Sequence, residues 1–162
     1  MYNGPVTVDR RIGGWGGVVR ESGDARLNAY APAVLSLFRA VCGFLFTAFG
    51  TSHVVGWPLD FGVPVGNWPV WYAGIIELVT GVLITTGLFT RPAAFIASGQ
   101  MAVAYFWQHQ PIALWPLADP QYGGNGGLPA VLFCFGFFLL VFTGGGMFAL
   151  DTAVRRRKSL RR

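Results

Sequence analysis

Residues 69–92 read PVWYAGIIELVTGVLITTGLFTRP, and this stretch decides the fold. From Pro69 to Leu88 one carboxylate, Glu77, interrupts an unbroken apolar run, and Arg91-Pro92 then opens the next. A helix needs about 20 apolar residues to cross a hydrocarbon core of ~30 Å. Three more runs of that kind flank it: Pro32 to about Val55, Pro92 to about His109, and Pro129 to Phe148. Each begins at a proline, which suits a first helical turn because its missing N–H has no partner there. A barrel strand needs only ~10 residues and alternates, which these runs do not do. Backbone amides in lipid must bond within their own segment, so four helices are expected.

Composition agrees. Of 162 residues 53% are hydrophobic and 12% charged, about half the charge of an ordinary soluble domain. The expected fold is all-α, a polytopic membrane protein built as an up-down bundle of four transmembrane helices. Residues 1–31 are expected as a loosely ordered cytoplasmic tail, 32–148 as the transmembrane domain, and 149–162 as a basic cytoplasmic tail. The glycines around residues 13–17 argue against a stable helix there. Some 30 polar and Gly-rich residues precede the first run, which is not the form of a cleavable secretory signal.

Charge placement predicts orientation. Apart from Arg39, every Lys and Arg lies in the two tails or in the tight Gly87–Pro92 turn, while the other two gaps carry Asp60 and Asp119. The positive-inside rule then puts both termini of a multi-pass membrane protein in the cytoplasm. Trp57, Trp68, Trp71, Trp107 and Trp115 fall at the outer boundary on that reading, as an interfacial aromatic belt does. The net charge of +5 sits in flanking tails and does not indicate nucleic acid. Its simplest partner is the anionic lipid of the bilayer.

Arg39 and Glu77 are the formal charges inside the runs. Counted from the run ends they lie roughly 12 and 16 Å deep, so an ion pair is expected, either fixing helix register or lining a ligand site. His53 and His109 end their runs at the outer boundary, too wet a position for a bis-His haem. Gly43, Gly50, Gly74 and Gly81 recur at seven-residue spacing, the mark of close helix packing. Cys42 and Cys134 form no C-x-x-C and are read as core residues. No grouping suggests a metal.

These residues resemble the DoxX family of small bacterial four-helix membrane proteins. The resemblance rests on Arg39 with Gly43 and Phe49-Gly50, on Trp71–Glu77 with Gly81, and on Gly87–Ala94. It continues through Met101–Phe106, His109, Asn125-Gly126-Gly127, Gly144-x-Gly146 and Leu150-Asp151. Three positions depart from the family pattern: a basic residue is missing near His53, Gln100 stands near a usual acid, and Leu128 stands where an acid usually follows Asn-Gly-Gly. The resemblance implies a membrane subunit of a redox complex, either quinone-linked or tied to thiol and oxidative-stress chemistry. That makes it an accessory subunit with a redox-protein partner rather than an autonomous catalyst. The candidate pocket comprises Arg39, Glu77, His53, Tyr105, Gln108, His109 and Asn125, with Phe46 and Phe49 among its apolar walls, and quinone is the cofactor it would take. The rival reading is a non-catalytic assembly scaffold whose polar core fixes the bundle.

Overall fold

The computed structural model describes residues 14–159, with side chains described over 25–154. Arg10, Arg11, Arg161 and Arg162 of the expected tails therefore lie outside the described residues. Every regular element among the described residues is helical: α1 (Gly14–Val55), α2 (Val70–Thr86), α3 (Thr90–Ala104), α4 (Leu128–Thr143) and α5 (Leu150–Ser159). A π-helical turn, Tyr105–His109, extends α3, and a short 3-10 turn, Pro120–Tyr122, precedes α4.

The apolar runs and the helices agree in place but differ in length. Pro69 caps α2, and Pro129 lies in the first turn of α4. Pro32 instead sits inside α1, which begins at Gly14. Residues 14–31, expected to be loosely ordered, are thus helical; Ala25, Leu27, Ala29 and Ala31 are good helix formers and outweigh one lost backbone bond. Of the described helices, Ala25–Val55 alone is long and apolar enough to cross a membrane, with mean hydropathy 1.8 over its best window. α2 and α4 are apolar but hold 17 and 16 residues.

The described residues up to Pro32 and those from Ala33 onward belong to two compact units. Within the second, α1 and α2 meet along the glycine seam expected from the spacing. A Cβ on Gly43 would fall 2.6 Å from the Thr85 nitrogen, one on Gly81 2.6 Å from the Thr47 nitrogen, and one on Gly50 would run into the Leu78 backbone. Residue numbers rise on one helix as they fall on the other, so the two are antiparallel. Phe46 of α1 packs edge-on to Phe137 of α4 with ring centroids 4.7 Å apart. On α3, Ala93, Ala94 and Ala97 are small enough to bring that helix close to α2 and α4. Cys42 and Cys134 are free, partly buried and packed against this core.

The exposed surface is apolar, and polar groups share the interior with the apolar core. Buried positions include Ser36, Arg39, Ser52, Glu77, Thr80, Ser98 and Asn125. Exposed positions include Phe44, Val79, Phe95, Leu132, Phe135 and Phe142, drawn from α1, α2, α3 and α4. Water would penalise so large an apolar surface, whereas lipid accepts it.

Candidate functional site

Arg39 and Glu77, the two charges inside the apolar runs, do not pair with each other. Arg39 donates from Nε to the Gly145 carbonyl at 2.9 Å, and from Nη1 to the carbonyls of Thr85 at 2.6 Å and of Ile84. These acceptors lie in the last turn of α2 and the loop after α4; the Ile84 carbonyl also accepts from Gly87 N–H at 3.1 Å, while helix-end carbonyls commonly lack an i+4 donor. A cation there is also favoured by the negative ends of both helix dipoles. Ser36, one turn before Arg39, accepts from the Phe148 N–H at 3.1 Å and so ties the same loop to α1. Asp151 completes this end: its carboxylate accepts from Phe89 N–H at 3.0 Å and Thr90 N–H at 2.9 Å, capping α3.

The expected Arg39–Glu77 pair fails on register. Arg39 meets carbonyls seven and eight residues beyond Glu77 along α2, roughly 11 Å away at 1.5 Å per residue. Counting depth from Pro32 misplaced it, because α1 does not start there.

Glu77 takes other partners. Its Oε2 is 2.7 Å from His53 Nδ1 on α1, and its Oε1 accepts from Gln100 Nε2 on α3 at 3.2 Å. The His53 side chain is 20% exposed and that of Glu77 5%, so the carboxylate is held in the interior by two side chains from two helices. The close approach at Gly74, where a Cβ would fall 2.6 Å from His53 Cβ, lets the imidazole lie against α2. Gln100 is left half-used: its Oε1 is buried with no hydrogen-bond partner among the described residues. Thr90 Oγ1, near Gly145, is the other such atom.

His109 is positioned by the π-helical turn. Gln110 N–H reaches back five residues to the Tyr105 carbonyl at 2.9 Å, and Pro111 ends the helix. Nδ1 of His109 lies 2.9 Å from the Asn125 carbonyl. A carbonyl only accepts, so Nδ1 carries the proton and the neutral ring keeps its lone pair on Nε2. Asn125 is fully buried; it donates from Nδ2 to the Ala113 carbonyl at 2.9 Å and accepts from Gly127 N–H at 2.8 Å. A Cβ on Gly127 would fall 2.9 Å from His109 Cβ, which explains why this loop is glycine. Asn125 is a brace for the His109 loop.

Between α2, α3, the π turn and the start of α4 lies a cavity of about 720 Å³. Glu77, His53, Gln108 and His109 are on its wall, as are Phe46 and Phe49. Arg39, Tyr105 and Asn125 are not among its lining residues: Arg39 lies fourteen residues before His53 on α1, beside the end of α2, Tyr105 packs against the core, and Asn125 lies behind His109. Sequence reasoning placed Gln100 outside the pocket, noting only its lost charge; its signal was an amide in mid-run on the third helix. It also missed Gly99, where a Cβ would meet nothing within 4 Å. Phe95, Ile96, Val103 and Trp107 line the cavity and are also exposed on the outer surface, so its rim lies on the apolar side of the molecule.

Among the described residues every regular element is a helix, the exterior is apolar, and polar groups are drawn into the interior beside the apolar core, which is the pattern of a membrane protein. The sequence model of the DoxX family matches residues 33–110. An uncharacterized protein of Haemophilus influenzae strain Rd is 37% identical over 131 residues, covering 77% of this chain and 93% of the relative. The chain belongs to the DoxX family. No solved structure matches it.

Proposed function

We propose that this protein is the membrane subunit of a redox complex and that its cavity binds the ring of a lipid-soluble quinone couple. The observation that carries the reading is the hydrogen-bonded chain His53–Glu77–Gln100 set in the wall of a largely apolar cavity of about 720 Å³. Ligand cavities combine apolar walls with a few fixed polar groups, and a quinone ring needs just that. Side chains on the lipid side form the rim, which suits a ligand arriving from the bilayer rather than from water.

In this reading α1, α2, α3 with its π turn, and α4 all cross the bilayer as a four-helix bundle. The shorter helices are accommodated by thinning of the bilayer around them. Both termini lie in the cytoplasm, following the Lys and Arg distribution. His53 and His109 then lie toward the outer face, where a redox-protein partner docks.

The test uses the detergent-purified full chain and decylubiquinone supplied in both oxidation states. Ligand at 100 times its dissociation constant stabilises by about 2.7 kcal/mol. Thermal melting should rise with at least one oxidation state, and His109→Ala should reduce the shift. Arg39→Lys, which alters the opposite end, should leave it in place. No stabilisation by either form, at saturating mole fraction in the micelle, overturns the proposal in favour of an assembly scaffold.

A further inference from the structure

A cavity of about 720 Å³ encloses a whole drug-sized molecule rather than a single ring. Its wall is graded. Near the end of α3 and the start of α2 it carries His53, Gln108, His109, Trp68 and Trp107, and Glu77 follows about two turns along α2. Further in, the lining residues Phe46, Phe95, Ile96 and Phe133 are apolar. At the polar end Trp68 and Trp107 meet edge-on, ring centroids 6.3 Å apart, and bridge the start of α2 to the end of α3. From Trp107 back to Phe95, roughly 18 Å at 1.5 Å per residue, α3 presents Val103, Gly99 and Ile96 both to the cavity and to the outer surface.

Gly99 lies in the middle of that strip. Glycine weakens a helix, and Gly43, Gly50, Gly74, Gly81 and Gly136, the other helical glycines whose surroundings are described, each have a neighbour that a Cβ would press on. At Gly99 a Cβ would meet nothing within 4 Å. No described part of the chain calls for glycine there, whereas a ligand lying against the helix does.

Charge narrows the ligand. Among the described residues that line the cavity there is no Lys or Arg, and Arg39 is engaged by backbone carbonyls at another level. The Glu77 carboxylate, 2.7 Å from His53, cancels any charge that His53 takes up. His109 offsets an anion only by taking up a second proton at Nε2. Burying an anionic head against so apolar a wall without a counter-charge is strongly disfavoured. Uncharged heads meet no such penalty, and the lining offers donors in Trp68, Tyr72, Trp107 and Gln108 and acceptors in Glu77 and His109, so carbonyls and hydroxyls are served alike.

We infer that the cavity receives a single-chain lipid whose head is an uncharged ring. The ring lies at the polar end, the first part of the tail runs along α3 over Gly99 toward Ile96 and Phe95, and lipids with an anionic head are turned away. The inference rests on the quinone-couple reading for the ring and adds to it the path of the tail and the exclusion of charged heads. Exclusion has a use: a cavity open to the bilayer would otherwise fill with phospholipid or fatty acid.

The experiment measures dissociation constants on the full chain in mild detergent at about pH 8.5, well above the ordinary histidine range. Constants are expressed as mole fractions in the micelle, so that partitioning cancels. Decylubiquinone is compared with the same quinone ring lacking its decyl chain. Two competitors with the decyl tail on a six-membered ring, neutral 4-decylphenol and anionic 4-decylbenzenesulfonate, are then set against decylubiquinone. The ring alone should bind about tenfold more weakly, because the apolar wall loses the contacts of the tail. 4-Decylphenol should displace decylubiquinone, and the sulfonate should need at least about tenfold more to do so. Gly99→Phe, whose side chain enters open space, should weaken decylubiquinone at least to the level of the ring alone without lowering the melting temperature. Equal affinity of the two quinones, unchanged affinity in Gly99→Phe, failure of 4-decylphenol to displace, or displacement by the sulfonate at the same mole fraction overturns this inference and leaves the quinone-couple reading standing. Absence of binding by both quinones overturns both.

Discussion

Arg39 and Glu77 are both buried charges, yet the structure treats them oppositely. The guanidinium is spent on backbone: three carbonyls from the ends of α2 and the loop after α4 receive it. The carboxylate is held by side chains, His53 and Gln100, at the edge of a cavity. Backbone acceptors exist at any helix end, so the Arg39 site repeats what the fold already needs and closes it. Side-chain partners are chosen, and here one of them keeps an unused oxygen. Two charges set seven and eight residues apart along α2, at Glu77 itself and at the carbonyls that Arg39 meets, thus divide the work: one level locks helices, the other holds a space. His53 and Arg39 mark these two levels on α1, roughly 21 Å apart by the helical rise.

The sharpest way to break this division is at Arg39. Arg39→Met removes the cation from three desolvated carbonyls and is expected to cost about 3–5 kcal/mol, read from thermal or denaturant melts in detergent. Arg39→Lys should recover only part, since an ammonium cannot reproduce a planar fork of donors. Loss of under about 1 kcal/mol in Arg39→Met would remove the lock from the account.

Next in size is the helix seam. Gly81→Val forces a branched side chain against the Thr47 backbone and should destabilise by about 1–3 kcal/mol, while Gly99→Ala, facing open space, should stay within about 0.5 kcal/mol. Similar losses at both glycines would mean that α1 and α2 are not the tightly packed pair.

A pair of double-mutant cycles then sharpens the contrast. His53→Phe with Glu77→Leu should show a coupling of about 0.5–3 kcal/mol, because the two touch. Arg39→Met with Glu77→Leu should be additive within about 0.5 kcal/mol, because they share no partner. Strong coupling in the second cycle would restore the ion pair that the run-end depths suggest. The smallest effect belongs to Gln100→Leu, which removes one bond to Glu77 and one orphan acceptor together, so stability should change by about 1 kcal/mol or less.

How much of this could be read beforehand follows from the range of each interaction. The apolar runs and the seven-residue glycine spacing are local patterns, and α2, α4 and the α1–α2 seam follow them closely. Arg39 was recognisable as a buried cation, but backbone carbonyls leave no trace in residue types, so Glu77 looked like its natural partner. The start of α1 was hidden because Pro32 and the upstream glycines resemble a boundary. His53, Gln108 and His109 were grouped from their common level at the helix ends, and all three line the cavity. Gln100 was overlooked because an amide was judged by the charge it lacks, although its value lies in having a donor and an acceptor on one head. The π-helical turn that aims His109 has no residue signature in Tyr105–His109 and depends on the Asn125 loop that faces it.

The central claim is that the Glu77 end holds a ligand space and the Arg39 end does not. A photoreactive quinone carrying an azide on its ring tests it directly, reduced in a parallel sample to cover both oxidation states. After illumination of the full chain in lipid nanodiscs, the labelled peptides are mapped by mass spectrometry. The account predicts adducts on cavity residues of α2 and α3, such as Ile76, Phe95 and Met101, displaced by excess unlabelled ligand and lost in Gly99→Phe. Labelling concentrated at the Arg39 end, or spread evenly over lipid-facing side chains and insensitive to competitor, would contradict it.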